Sequence, residues 1–158
     1  MKNIFILGLL TSALTACANV QYTDMVPTAA PLETITVPGA RTLGPYSQAV
    51  RAGDYVFLSG VVAFDAKTGR FAKAEIEPQT RQVFANLREV LAAAGLGLED
   101  VVKTTVFLKN PKDFGPMNTL YAELFKGHKP ARSTVPGVDW GNPGVLIEIE
   151  AVAYAPRP

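Results

Sequence analysis

The sequence predicts one α+β domain in which two helices pack on one face of a sheet. Two segments repeat apolar residues at helical spacing, while the remaining ordered stretches alternate apolar and polar residues as half-buried strands do. Their order along the chain is strands, helix, strand, helix, strands, which suits helices layered on one sheet. At 158 residues the chain is long enough for one domain with a real core and too short for two ordinary ones. No internal repeat is present.

Thr34 to Val37 reads as a first strand. Tyr46 to Val50 and Tyr55 to Ser59 read as a hairpin around the polar turn Arg51-Ala52-Gly53-Asp54. Val61 to Phe64 and a short stretch at Arg70-Phe71 flank Asp65-Ala66-Lys67-Thr68-Gly69, a second hairpin turn with Gly where a positive φ is wanted. From Pro78 to Ala94 the period changes: Val83, Leu87, Val90, Leu91 and Ala94 form a helical stripe, Pro78 suits the first turn and Gly95 the stop. Val102, Thr104, Val106 and Leu108 alternate with Lys103, Thr105, Phe107 and Lys109 as one side of a strand. Asp113 or its neighbour is placed to cap a second helix carrying Phe114, Met117, Tyr121, Leu124 and Phe125. Ala131 to Val135 is a short strand. Val145 to Tyr154 is a long one, with Ile147, Ile149, Ala151 and Ala153 on one side.

The N-terminus reads as a targeting segment. Lys2 precedes the apolar run Ile4 to Leu10, which is too short for a stable membrane span. Leu14-Thr15-Ala16-Cys17 matches the bacterial lipobox, and Cys17 is the only cysteine, so no disulfide can form within one chain. The expected organisation is a signal peptide over 1–16, a lipid-anchored tether over 17–38 with Pro27, Pro31 and Pro38, and the globular domain over 39–158. That puts the protein in a bacterial cell envelope, facing the periplasm. Ala18 after the cysteine fits the outer-membrane sorting pattern.

Composition is that of a globular protein, 18% charged and 9% aromatic, with 15 basic residues against 14 acidic ones. Loss of Lys2 with the leader would equalise them. A nucleic-acid partner is therefore not expected, since phosphate binding draws on a basic excess or cluster.

Gly44-Pro45-Tyr46-Ser47-Gln48-Ala49, Ser59-Gly60, Gln79-Thr80-Arg81-Gln82, Val102-Lys103-Thr104-Thr105-Val106-Phe107-Leu108, Pro130-Ala131-Arg132-Ser133-Thr134 and Ile147-Glu148-Ile149-Glu150-Ala151 together resemble the RidA-like (YjgF-type) family. The resemblance runs from about Gly39 to about Ala153. It implies a chorismate-mutase-like fold, a homotrimer with three ligand clefts at subunit interfaces, and hydrolysis of 2-imino or enamino acids to 2-keto acids and ammonia without metal or organic cofactor.

On that resemblance, Arg132 and Glu148 are the catalytic candidates. Arg132 offers a planar fork of donors to a substrate carboxylate, and Glu148 would orient the attacking water and carry its proton. Tyr46, Gly60, Asn118 and Thr134 would line the ligand cleft. Plainer readings stand beside these: Arg132 as a surface or salt-bridge arginine, Glu148 on an exposed face beside Glu150, Tyr46 as a half-buried strand aromatic, Asn118 as helix surface. His128 is the only histidine and reads as solvated; it makes no multi-histidine metal site. Val61, where many relatives carry Gln, and the loop from Pro136 to Gly144 depart from the family pattern. Within that loop, Trp140 either narrows the pocket or caps the core edge. The expected function is imine or enamine deamination of small carboxylate-bearing ligands; the alternative is a non-catalytic carboxylate-binding lipoprotein.

Overall fold

Strand alternation decides how the sheet is built. In the computed structural model, which describes residues 31–40 and 42–157, six strands form one sheet and two short ones a separate hairpin. Cys17, the expected signal peptide and most of the expected tether lie outside the described residues. The elements are β1 (Glu33–Ile35), β2 (Ala49–Ala52), β3 (Tyr55–Val62), β4 (Phe64–Asp65), β5 (Arg70–Phe71), α1 (Ile76–Ala93), β6 (Val101–Leu108), α2 (Phe114–Leu124), β7 (Ala131–Pro136) and β8 (Ile147–Tyr154). The sheet order is β1-β2-β3-β8-β6-β7. Every neighbouring pair is antiparallel except β6 and β7, which run parallel with α2 in the connection between them.

The β2–β3 hairpin closes through Gly53 and Asp54 alone, with Gly53 at φ +57, because β2 continues to Ala52. At its other end β2 begins at Ala49, later than the expected Tyr46. Gly44-Pro45 bends the chain there, and the Tyr46 amide bonds back to the Gly44 carbonyl at 2.9 Å. The two expected strands Tyr55 to Ser59 and Val61 to Phe64 are instead one strand to Val62, with its register against β8 shifted between Leu58 and Val61.

β8 supplies the middle of the core. Ile147, Ile149, Ala151 and Ala153 are all buried on the helix side, as their alternation predicts. On β6 the buried set is Val101, Thr104, Val106 and Leu108; Val102 is exposed because the register slips between Val101 and Lys103. α1 presses Val83, Phe84, Leu87, Val90 and Leu91 onto this face. It starts two residues before Pro78 and ends in a Schellman-type turn, where Gly95 at φ +74 lets the Leu96 amide reach the Leu91 carbonyl at 2.9 Å.

Met117, Tyr121 and Phe125 carry α2 into the core, and Phe84, Tyr121 and Phe125 form an aromatic cluster with centroids 4.7–5.6 Å apart. Phe114, expected in that stripe, is exposed. Asp113 stands at the start of α2 without capping it; its carboxylate accepts the Asn110 amide at 3.2 Å instead. Among the described residues no helix covers the other sheet face, which exposes Tyr55, Phe57, Val102 and Tyr154.

Gln79 fastens the long loop between β7 and β8 to α1. Its side chain is fully buried, donates to the Gly144 carbonyl at 2.6 Å and accepts the Leu146 amide at 2.9 Å. Gln79→Leu keeps the volume and strips both bonds, leaving two backbone groups without partners. Urea unfolding should show a loss of about 2–4 kcal/mol; a loss below about 0.5 kcal/mol would mean the loop finds other partners.

Candidate active site

β7 is an edge strand, and its parallel register sets Arg132 opposite Thr104 and Thr134 opposite Val106. Arg132 and Thr134 are half-buried and point to the helix side, while Ala131 and Ser133 between and beside them are exposed. The Arg132 guanidinium donates to the Asn118 side-chain oxygen at 2.8 Å and lies 4.6 Å from the centre of the Tyr121 ring and 5.8 Å from that of Phe114. All three neighbours belong to α2. Among the described residues no carboxylate pairs with Arg132, so it is not the salt-bridge arginine of the plainer reading. A cation held by a ring and an amide, with its charge unbalanced, suits a bound anion.

Glu148 occupies the opposite face. It pairs with Val62 on β3 and Phe107 on β6, and it is half-buried whereas Glu150 on the same side is exposed. Its carboxylate lies across the β3 register shift: a Cβ at position 60 would collide with it, so Gly60 is what makes room. Burial among these apolar neighbours raises its pKa above the ordinary glutamate range. The polar edge of the nearby Trp140 side chain opposes that shift, and the charge of Glu150 adds to it. Trp140 therefore lies beside Glu148.

Tyr46 comes near Gly60, from a loop and not from a strand. The Ser59 hydroxyl ties that loop to β3 by donating to the Ser47 carbonyl at 2.7 Å. The Tyr46 hydroxyl accepts the Leu43 amide at 3.3 Å, and the ring stays about half exposed. Tyr46, Leu43, Gly60 and Val61 share a groove of about 90 Å³ with the end of α1. Asn86 pins its wall by donating to the Val62 and Phe64 carbonyls at 2.9 and 2.7 Å.

The expected site residues thus fall into two groups. Arg132, Asn118 and Thr134 stand together at the β7 edge; Glu148 meets Gly60 at the β3 register shift, and Tyr46 shares a groove with Gly60. Within one chain the sheet separates them: Glu148 is two strands in from β7 and on the other face. Tyr121, which lies under Arg132, is not singled out by the sequence as part of the site, because it falls in an apolar stripe. His128 is not solvated: it is half-buried, with its ring nitrogen 2.6 Å from the Val101 carbonyl. Among the described residues no three metal-ligating side chains converge.

The profile of the family described as Endoribonuclease L-PSP matches residues 38–155. A RutC family protein of Pyrococcus horikoshii is 50% identical over 114 residues, covering 72% of this chain and 90% of that one. A 2-iminobutanoate/2-iminopropanoate deaminase of Dermatophagoides farinae is 37% identical over 123 residues, covering 77% and 95%. The crystal structure of E. coli TdcF with bound serine matches with a TM-score of 0.69 at 34% identity, covering 77% of this chain and 98% of that one. The chorismate-mutase-like sheet, the RidA-like motifs and a profile match along nearly all of the described residues agree that this chain belongs to the Endoribonuclease L-PSP family.

Proposed function

We propose that the protein hydrolyses small 2-imino or enamino acids to 2-keto acids and ammonia in clefts shared between the subunits of a homotrimer. The observation that carries this reading is the division of the site. An unbalanced arginine stands on one edge and a half-buried carboxylate on the other face, and each lacks the partner the chemistry needs. Docking the β7 edge of one subunit beside the β3 shift of the next would join Arg132 to Glu148 of the partner subunit. The helix-free sheet face, with Tyr55, Phe57, Val102 and Tyr154 exposed, supplies apolar surface for such an assembly. The deaminase of D. farinae and the serine bound to TdcF support a small ligand with a carboxylate.

In this mechanism Arg132 grips the substrate carboxylate through its free donors and sets C2 against a water held by Glu148. The ionised Glu148 takes a proton as the water oxygen bonds to C2 and the C2=N π pair moves onto nitrogen. The proton then passes to that nitrogen, giving the carbinolamine; Glu148 next carries the C2–OH proton to the amine, and as the C–N bond breaks its electron pair leaves with ammonia while the C2–O bond closes to the ketone. A carboxyl with a raised pKa suits both halves of that exchange near neutral pH. RNA cleavage, named in the family description, is not favoured by a chain with 15 basic and 14 acidic residues.

We also propose that residues 1–38 deliver this domain to a bacterial membrane through lipidated Cys17. The family profile begins at residue 38, so the lipobox-like segment lies ahead of the catalytic fold. In cell fractions, wild-type protein should follow the membrane and Cys17→Ser the soluble phase. Identical partition of both would remove the anchor.

Arg132→Ala should raise KM for 2-iminopropanoate on the order of 100-fold, and Glu148→Gln should lower kcat by about 100-fold or more. Trimers reassembled from equal amounts of these two inactive variants should regain roughly a quarter of wild-type activity, the share of clefts that receive both intact residues. No recovery from well-mixed trimers would place the site within one chain.

The raised pKa of Glu148 has a sign that can be checked without substrate. A group whose folded pKa is raised gives its full stabilisation below the ordinary value of 4.5 and loses it as pH rises through the folded value. Glu148→Gln should therefore melt higher than wild type above pH 7, with the difference fading as the pH falls below 4.5. In the wild type, kcat/KM should fall in acid with a midpoint above that value. Equal melting at all pH values would show that the carboxylate is not desolvated.

A further inference from the structure

We propose that Tyr121 is the positioning residue for Arg132: its ring is the platform that holds the guanidinium plane ready for a carboxylate, and Thr104 holds the ring. The proposal deepens the reading of Arg132 as the carboxylate grip and depends on it.

Geometry argues for this. Arg132 sits on an edge strand between exposed neighbours, so the backbone leaves its long side chain little confined. Confinement comes from α2. The guanidinium carbon is 4.6 Å from the Tyr121 centroid and 5.8 Å from that of Phe114, and Phe114 is exposed while Tyr121 is buried. Asn118, three residues before Tyr121 on the same helix face, accepts one N–H of the fork at 2.8 Å. Ring and amide together fix the plane and one edge, and the remaining donors are left for a ligand. The ring is itself immobilised: its hydroxyl and the Thr104 hydroxyl, both buried, are 2.7 Å apart, Phe84 packs with it edge to face and Phe125 lies against it at a tilt. Burial raises the Tyr121 pKa, so the phenol keeps its proton and that bond. Thr104 stands directly opposite Arg132 in the β6–β7 ladder, so one register sets both ends of the relay. A fork ordered before binding loses less freedom when the ligand arrives.

The test uses the full-length trimer and compares binding of 2-oxobutanoate with that of its neutral amide, 2-oxobutanamide. A residue that acts on Arg132 changes the preference for the charged ligand; a residue that only packs the core weakens both equally. Tyr121→Leu should reduce the carboxylate preference by about tenfold, with Kd for the amide nearly unchanged. Tyr121→Phe should keep most of the preference, though its melting temperature falls because Thr104 loses a partner. Should the leucine variant fail to fold, 3,4,5-trifluorophenylalanine at 121 against phenylalanine there keeps the shape and drains the ring face of its negative potential. The preference should again fall. If Arg132→Ala abolishes the preference and the leucine and fluorinated variants retain it, the platform is overturned and the Arg132 reading survives. If Arg132→Ala leaves the preference intact, the Arg132 reading fails and the proposal falls with it.

Discussion

Everything in this structure depends on the alternation of β8. Four small or branched apolar side chains on one side lock the strand between β3 and β6 under α1. A slip of one residue would drive Glu148 into the core and lift Ile147 and Ile149 out of it, at a cost of several kcal/mol for each exchange. The position of the carboxylate is thus enforced by its apolar neighbours. Gly60 completes the arrangement from β3, since the register shift brings a residue without a Cβ under the carboxylate.

Arg132 is held by a different logic. Its strand is an edge, joined to the sheet only by the parallel ladder with β6, and its order comes from side chains of α2. Glu148 is rigid because the sheet is rigid; Arg132 is rigid because a helix surface is shaped to receive it. A charge at an edge is well placed to meet a second molecule, whereas a carboxylate in mid-sheet is well placed to stay desolvated. The two demands call for different places in a fold.

Much of this was legible in the sequence. The β8 alternation, the α1 stripe with Gly95 as its stop, and the Met117-Tyr121-Phe125 stripe each state their burial in their spacing. What escaped was set by partners distant in sequence. Val102 was expected inward and lies outward, because the slip against β8 depends on how two strands meet. Tyr46 was read into a strand that Gly44-Pro45 delays, and the parallel direction of β7 leaves no mark in the spacing of six residues. Of the candidate site residues, Arg132, Glu148, Tyr46, Gly60 and Thr134 lie in the quoted motifs, and Asn118 comes from the resemblance alone. The platform under Arg132 was hidden because Tyr121 reads as core, and it is core as well. Gln79 was hidden because a buried amide between two loop backbone groups looks, in sequence, like any polar residue of a helix.

The sheet order also bears on how the chain reaches its shape. β8 is made after every other strand yet sits between β3 and β6, so during synthesis the two halves of the sheet have nothing to join them. Until Ile147 to Tyr154 leave the ribosome, both halves keep raw edges and α1 lacks the centre of its floor. The domain is therefore committed to folding late and all at once, with long-range contacts formed at the end. For a cytoplasmic protein that delay is an exposure to aggregation. Were the proposed leader to thread the chain through a translocon, the same delay would keep the polypeptide unfolded for the length of the journey.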